Sequence, residues 1–248
     1  MRCALLKITF VAVAALVCRF PAGAWSKEGK VIHPEGGNAG FSIAVLGGSL
    51  SVCKESDVAK GVWADALGAD VVTYGVGGAG FCRSQGHSLQ IQAEEAGVHD
   101  VYVLWASTND YNNRHECGTV MDWTDADGFA PEALETQCGG INYCLHTLKA
   151  KNPDAMIVFF TSLPFFRSED AWRRNAPSPS MAFFVKSQKK CCSESGVKVL
   201  DQFGHSPFSP SNYMYFYKND KLHLTEKGYE EVTPMQLRFL RRITRKIK

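Results

Sequence analysis

Five apolar runs, each closed by glycine, proline or polar residues, recur along the chain at residues 41–46, 71–74, 101–105, 156–161 and 197–200. Short runs with little polar alternation predict strands covered on both faces. Between them, apolar positions return at helical spacing over residues 58–67, 88–96, 141–150 and 181–193. Strands that alternate with helices predict an α/β fold, a three-layer α/β/α sandwich around a mainly parallel five-stranded sheet. In such a sheet ligands sit beyond the carboxyl ends of the strands, so the residues just after each run carry the functional interest.

The pattern ends in a helix that Thr225 is placed to cap, with Glu226 behind it and Tyr229, Val232, Met235, Phe239 and Ile243 facing the core. Pro234 lies inside that span and predicts a kink or a division of the helix. Three polar stretches, 110–135, 165–180 and 202–220, interrupt the alternation without the composition of separate domains and are expected to be active-site loops.

The amino-terminal pattern is different. Arg2 and Lys7 precede an apolar run over residues 8–18, followed by Ala22-Gly23-Ala24, the order of a secretory signal. The run is shorter than the roughly 20 residues needed to span a bilayer. The expectation is cleavage after Ala24, one domain over residues 25–248, a secreted or periplasmic location and no stable membrane insertion. The formal net charge of the whole chain is +2. Residues 1–24 take with them Arg2, Lys7 and Arg19 and no acid, which leaves 24 basic against 25 acidic residues. Apart from the basic tail 241–248 there is no basic stripe with interleaved aromatics, which argues against nucleic acid as a partner.

Of nine cysteines, Cys3 and Cys18 fall in the signal, leaving an odd seven, so at least one lacks an intramolecular partner. Cys117, Cys138, Cys144 and His146 lack the paired short spacing typical of a zinc site and read instead as disulfide or buried thiols.

Four positions carry candidate chemistry. After the first strand, Gly47-Gly48-Ser49-Leu50-Ser51 would turn sharply and present the Ser49 hydroxyl, although Gly-Gly-Ser is also an ordinary turn. After the second comes Tyr74-Gly75-Val76-Gly77-Gly78-Ala79-Gly80, which matches a dinucleotide-binding glycine pattern. The next strand ends Trp105-Ala106-Ser107 with no ribose-binding acid, which turns the expectation to a turn whose N–H groups face an anion. After the third comes Ser107-Thr108-Asn109-Asp110, where Asn109 can donate to a developing oxyanion or merely shape the loop. Before the last helix, Asp220-Lys221-Leu222-His223 places a carboxylate where it can orient an imidazole. Asp201 and His205 form a competing pair.

Taken in order, Ser49, Gly78, Asn109 and the Asp220-x-x-His223 block resemble the SGNH (GDSL-like) hydrolase family over residues 41–235. The resemblance implies a flavodoxin-like fold, Ser49 as nucleophile with Asp220 and His223 completing a triad, and an oxyanion hole from the Ser49 N–H, the Gly78 N–H and the Asn109 amide. It implies no metal and no organic cofactor. Two positions depart from the family pattern: Gly48 stands where the Gly-Asp-Ser signature has aspartate, and Ser107 stands where the third block has glycine. Both mark a divergent branch. The resemblance further implies a secreted esterase acting on a small-molecule or carbohydrate acyl ester, acetyl or another short acyl group. An O-acyltransferase using the same site and a catalytically silent carbohydrate-binding module are the alternatives. Trp123, Trp172 and the run Tyr213-Met214-Tyr215-Phe216-Tyr217 are candidate aromatic contacts for such a substrate, or loop packing. The sequence does not set the oligomeric state.

Overall fold

The structure is a computed structural model that describes residues 29–119 and 129–247. The expected signal, residues 1–24, and Trp123 lie outside the described residues. Among the described residues no helix is long and apolar enough to cross a membrane.

In chain order the elements are β1 (Lys30–Ile32), β2 (Phe41–Gly47), α1 (Ser49–Val52), α2 (Asp57–Leu67), β3 (Ala69–Thr73), α3 (Leu89–Glu95), β4 (Val101–Trp105) and α4 (Asn109–Asn112). Then follow α5 (Pro131–Leu134), α6 (Gln137–Lys151), β5 (Met156–Phe160), α7 (Met181–Glu194), β6 (Lys198–Leu200), α8 (Gln202–His205) and α9 (Glu226–Thr244). One sheet has the order β1-β3-β2-β4-β5-β6, with β2 through β6 parallel and β1 antiparallel on β3. The five parallel strands are those expected from the apolar runs, in the doubly wound order of flavodoxin-like sheets.

The sixth strand corrects the five-stranded expectation. Its three residues pair Lys30 with Thr73 and Ile32 with Val71. Lys30 and Val31 stay exposed on the sheet edge, so the segment carries no apolar run to read.

The two faces of the sheet are separated by strict alternation. Ile43 and Val45 of β2, Val101, Val103 and Trp105 of β4, and Val158 and Phe160 of β5 point to one side, where Ala59 and Trp63 of α2 and Tyr229, Val232 and Phe239 of α9 cover them. Ala44 and Leu46, Tyr102 and Leu104, and Ile157 and Phe159 point to the other, against α3, α6 and α7 through Leu89, Ile141, Leu148 and Cys191. Trp63 is fully buried and meets Trp105 and Phe160 with ring centroids 5.9 and 5.8 Å away. Truncating such a residue to alanine costs about 3–5 kcal/mol.

Thr225 caps α9 as expected, its hydroxyl accepting the Gly228 N–H at 3.2 Å. Of the two outcomes expected at Pro234, division does not occur: the helix runs through it. Pro234 and Glu230, whose carbonyl loses its helical partner there, are both exposed, so water can satisfy that oxygen. All seven described cysteines are free thiols, and every one but Cys53 is buried.

Candidate active site

The parallel order reverses between β2 and β4, which neighbour each other at the centre of the sheet and pair Gly47 with Trp105 at their carboxyl ends. That crevice is where a doubly wound sheet binds ligands. The two segments leaving it carry Ser49 and Asn109.

The end of β2 is fixed before the chain turns. The buried Gln92 side chain accepts the Gly47 N–H at 2.8 Å and donates to the Gly47 carbonyl at 3.1 Å. The chain then enters α1, with half-buried Ser49 as its first residue. A Cβ on Gly48 would lie 2.7 Å from Ser107 Cβ and 2.8 Å from the Ala79 carbonyl oxygen. Gly48 is therefore required by close approach rather than by an unusual backbone angle. The two departures from the family pattern face each other here, because the side chain gained at Ser107 occupies the space that one at Gly48 would need.

The turn after β3 is held by β4's extension. Asp110, buried between them, accepts the N–H groups of Phe81 at 2.8 Å and Cys82 at 3.0 Å. The Ser107 hydroxyl donates to Ala79 O at 2.7 Å, and the Asn109 amide nitrogen donates to the same oxygen at 2.8 Å. Of the two amide hydrogens of Asn109, one is so used and one is left for another acceptor. Gly78 adopts φ +83°, a conformation that side chains disfavour. Neither the Ser49 nor the Gly78 N–H has an acceptor among the described residues. The glycine pattern of residues 75–80 thus builds a tight turn, and its Gly80 is filled from behind by the Asp110 carboxylate.

His223 reaches the same crevice from the other end of the chain. Its Nε2 lies 2.8 Å from Ser49 Oγ, and its Nδ1 lies 2.5 Å from Asp220 Oδ2. The other carboxylate oxygen, Oδ1, accepts the backbone N–H groups of Leu222 and His223 at 3.0 Å each. Lys221 allows this hairpin-like return by taking φ +59°. Partial burial raises the Asp220 pKa, but the His223 ring and the two backbone N–H groups outweigh it and bring the carboxyl down to about 2. An anionic Asp220 holds the proton on Nδ1, which leaves Nε2 to accept from the Ser49 hydroxyl.

The structure thus brings together Ser49, Asp220 and His223, with Gly78 and Asn109 on the turns beside them. It does not form the competing pair. Asp201 Oδ1 accepts the Gly204 N–H at 2.8 Å as the cap of α8, and Oδ2 pairs with Lys189 Nζ at 2.6 Å. The His205 ring meets the Asp201 main-chain oxygen, not its carboxylate. Five of the thiols are poor rival nucleophiles: burial pushes Cys117 up to about 12 and raises Cys82, Cys144 and Cys192 further, and contact with Cys191, together with burial, raises Cys138. Among the described residues no group of three or more His, Cys, Asp or Glu is placed to hold a metal ion.

Two residues of the site were not legible as such. Asp110 stands next to Asn109, but only the fold shows that its carboxylate braces the facing turn. Arg167, whose Nε donates to the Asp220 main-chain oxygen at 2.9 Å, comes from a loop with no motif. The aromatic run divides. Tyr217 is buried with its hydroxyl on the Pro164 oxygen, Tyr213 stacks on Phe166 at 4.7 Å, and Met214 and Tyr215 remain exposed.

Comparison with known proteins places this geometry in a context. The model of the GDSL-like Lipase/Acylhydrolase family matches residues 45–231. Among solved structures, a protein from Lactobacillus plantarum is 15% identical with a TM-score of 0.63, covering 80% of this chain and 95% of its own. A protein from Chitinophaga pinensis described as a possible lipase is 16% identical with a TM-score of 0.62, covering 82% of this chain and 98% of its own. The lipase/acylhydrolase from Enterococcus faecalis is 16% identical with a TM-score of 0.54, covering 82% and 96%. At these identities the likeness is one of fold. No curated protein matches the chain.

Proposed function

The chain belongs to the GDSL-like lipase/acylhydrolase family, and from that premise we propose that it is a secreted serine esterase that cleaves carboxylic esters through an acyl-enzyme on Ser49. The observation that carries the proposal is the continuous path from Ser49 Oγ to His223 Nε2 at 2.8 Å and from His223 Nδ1 to Asp220 at 2.5 Å.

The chemistry follows from that path. Ser49 Oγ attacks the ester carbonyl carbon and its proton passes to His223 Nε2, while Asp220 stabilises the imidazolium. The carbonyl oxygen becomes an oxyanion that the Ser49 N–H, the Gly78 N–H and the free Asn109 amide hydrogen receive. Collapse breaks the bond to the alkoxide, which leaves as the alcohol with the proton from His223. A water then gives a proton to the same nitrogen as it attacks the acyl carbon, and collapse of the second tetrahedral species returns Ser49 and releases the acid.

The substrate we assign is a short-chain acyl or acetyl ester of a carbohydrate. The exposed Met214 and Tyr215, in the turn just before Asp220, offer an apolar and aromatic surface of the kind that stacks on a sugar ring. Export rests on the amino-terminal pattern of charged, apolar and small residues.

The decisive experiment is a panel of acyl esters that includes acetylated sugars, run on wild type and Ser49→Ala with product analysis in water and in the presence of a sugar acceptor. Hydrolysis should fall at least roughly a thousandfold in Ser49→Ala with the melting temperature kept. Turnover near wild type in that variant removes Ser49 as nucleophile. Acyl transfer to the sugar that outcompetes hydrolysis makes the protein a transferase.

A further inference from the structure

The turn that carries Ser49 is too short to hold itself. α1 has four residues, and an isolated helical turn of that length is unstable in water because nucleation fixes several backbone angles for a single hydrogen bond. Yet Ser49 must be held closely for two purposes at once, to aim its hydroxyl at His223 and its N–H at the oxyanion. Positional error of the order of 1 Å in such a constellation costs about a hundredfold in rate.

Two fully buried polar side chains reach this turn from behind. The Tyr229 hydroxyl, from the first turns of α9, donates to the Leu50 carbonyl at 2.7 Å and lies 3.1 Å from Cys53 Sγ. The Lys60 ammonium, from the first turn of α2, donates to the Ser51 carbonyl at 2.9 Å. Its remaining donors meet Thr73 Oγ1 at 3.3 Å and Asp57 Oδ1 at 2.9 Å. Both residues are 0% exposed. The carbonyls they take are those of the two residues directly after Ser49.

A simple packing role fits the pair poorly. A buried ammonium carries a desolvation penalty of several kcal/mol, and an apolar side chain of the same volume would fill the space between α2 and β3 at no such cost. What the lysine and the tyrosine supply, and an apolar residue cannot, is a donor aimed at a backbone oxygen of α1. Burial raises the Tyr229 pKa far above its ordinary value, which keeps its hydroxyl a donor throughout the working range. Burial lowers that of Lys60, and Asp57 opposes the shift.

We infer that Lys60 and Tyr229 are positioning residues for Ser49, fixing the Ser49 turn through the carbonyls of Ser51 and Leu50 so that hydroxyl and N–H are aligned together. The two grips come from α2 and α9, the helices that cover one face of the sheet. Alignment of the nucleophile is thus tied to the packing of that layer. The inference rests on Ser49 being the nucleophile.

The test is Tyr229→Phe, which removes one oxygen and leaves the packed ring. Its control is Tyr102→Phe, because the Tyr102 hydroxyl is equally buried, donates to the Gly97 carbonyl at 2.7 Å and accepts the His99 N–H at 3.0 Å, but lies below β4 away from the crevice. Tyr229→Phe should lower kcat about tenfold, the rate equivalent of one lost hydrogen bond, with KM changed less than twofold. The second-order rate of Ser49 labelling by a serine-reactive phosphonate should fall in parallel. Tyr102→Phe should lose comparable thermal stability with kcat unchanged. Lys60→Met should lower kcat further where it folds, but the decision rests on the tyrosine pair. Equal kcat in Tyr229→Phe and wild type, or an equal loss in both tyrosine variants, overturns the positioning role while Ser49→Ala remains inactive. If Ser49→Ala keeps its turnover, the nucleophile assignment fails first and the inference falls with it.

Discussion

Two Asp/His pairs lie after strands or before helices in this protein, and their geometry parts them. In Asp220-Lys221-Leu222-His223 the positive φ of Lys221 folds the chain back, so one carboxylate oxygen takes two backbone N–H groups and the other faces the imidazole. Residues 202–205 form the helical turn α8, and Asp201 stands at its N-cap, where a side-chain oxygen turns to the helix's own free N–H groups. The carboxylate is spent on Gly204 and Lys189, and the His205 ring meets only a main-chain oxygen. Residue type and closeness in sequence do not make a base and its orienting acid. The local backbone decides which partner the carboxylate can reach.

The contrast can be broken most directly by exchanging the imidazoles. His223→Gln should lower kcat at least roughly a thousandfold, while His205→Gln should stay within about twofold of wild type. The opposite ranking in purified, folded variants would transfer the role to the second pair. The carboxylates sharpen the point: Asp220→Asn should cost roughly a thousandfold to ten-thousandfold in kcat by losing control of the imidazole tautomer, with KM little changed. Asp201→Asn should leave kcat alone.

Asn109 tests the other side of the crevice. Asn109→Ala removes a donor to charge that develops only in the transition state, and should lower kcat roughly a hundredfold to a thousandfold with KM nearly constant. A normal kcat with an early unfolding transition would make Asn109 a loop-shaping residue, held only through its bond to Ala79.

The smallest effects are on stability. Asp201→Asn should cost about 1 kcal/mol through the weakened cap of α8 and the ion pair, seen as a fall of about 2–4 °C in melting temperature. Both aspartates are lowered on folding, Asp220 to about 2 and Asp201 in the same direction despite its burial. A depressed folded pKa means that each contributes stability above its unfolded value near 3.8 and loses it as pH falls through the folded one. Acid titration of unfolding should therefore show the Asp220→Asn difference shrinking from pH 4 toward pH 2. A difference that grows on acidification would contradict the lowered carboxyl.

The legibility of each element tracks how local its cause is. The run Phe41 to Leu46 reads as a buried strand because six successive positions carry the signal, and the observed strand extends one residue further, to Gly47. Lys30–Ile32 is invisible because three mostly exposed residues form a strand only when β3 is there to pair with. Thr225 reads as a cap because its partner is three residues away. Lys60 carries no local signal of its role, and its burial becomes apparent only when α1 and β3 close over it.

By itself the sequence determined the alternation of strands and helices, the places where each strand gives way to a turn, and the residue types on those turns, since all three depend on neighbours within a few positions. Only the tertiary structure decided which turns meet. Ser49 and His223 are 174 residues apart and come within 2.8 Å because the strand order sets β2 at the centre of the sheet and α9 returns over its face. The same closure left the Ser49 and Gly78 N–H groups without acceptors among the described residues, spent one hydrogen of Asn109 on Ala79, and set the Asp201 carboxylate to capping a helix. Those outcomes depend on hydrogen-bond geometry between segments far apart in the chain, and a local pattern of residue types carries no record of it.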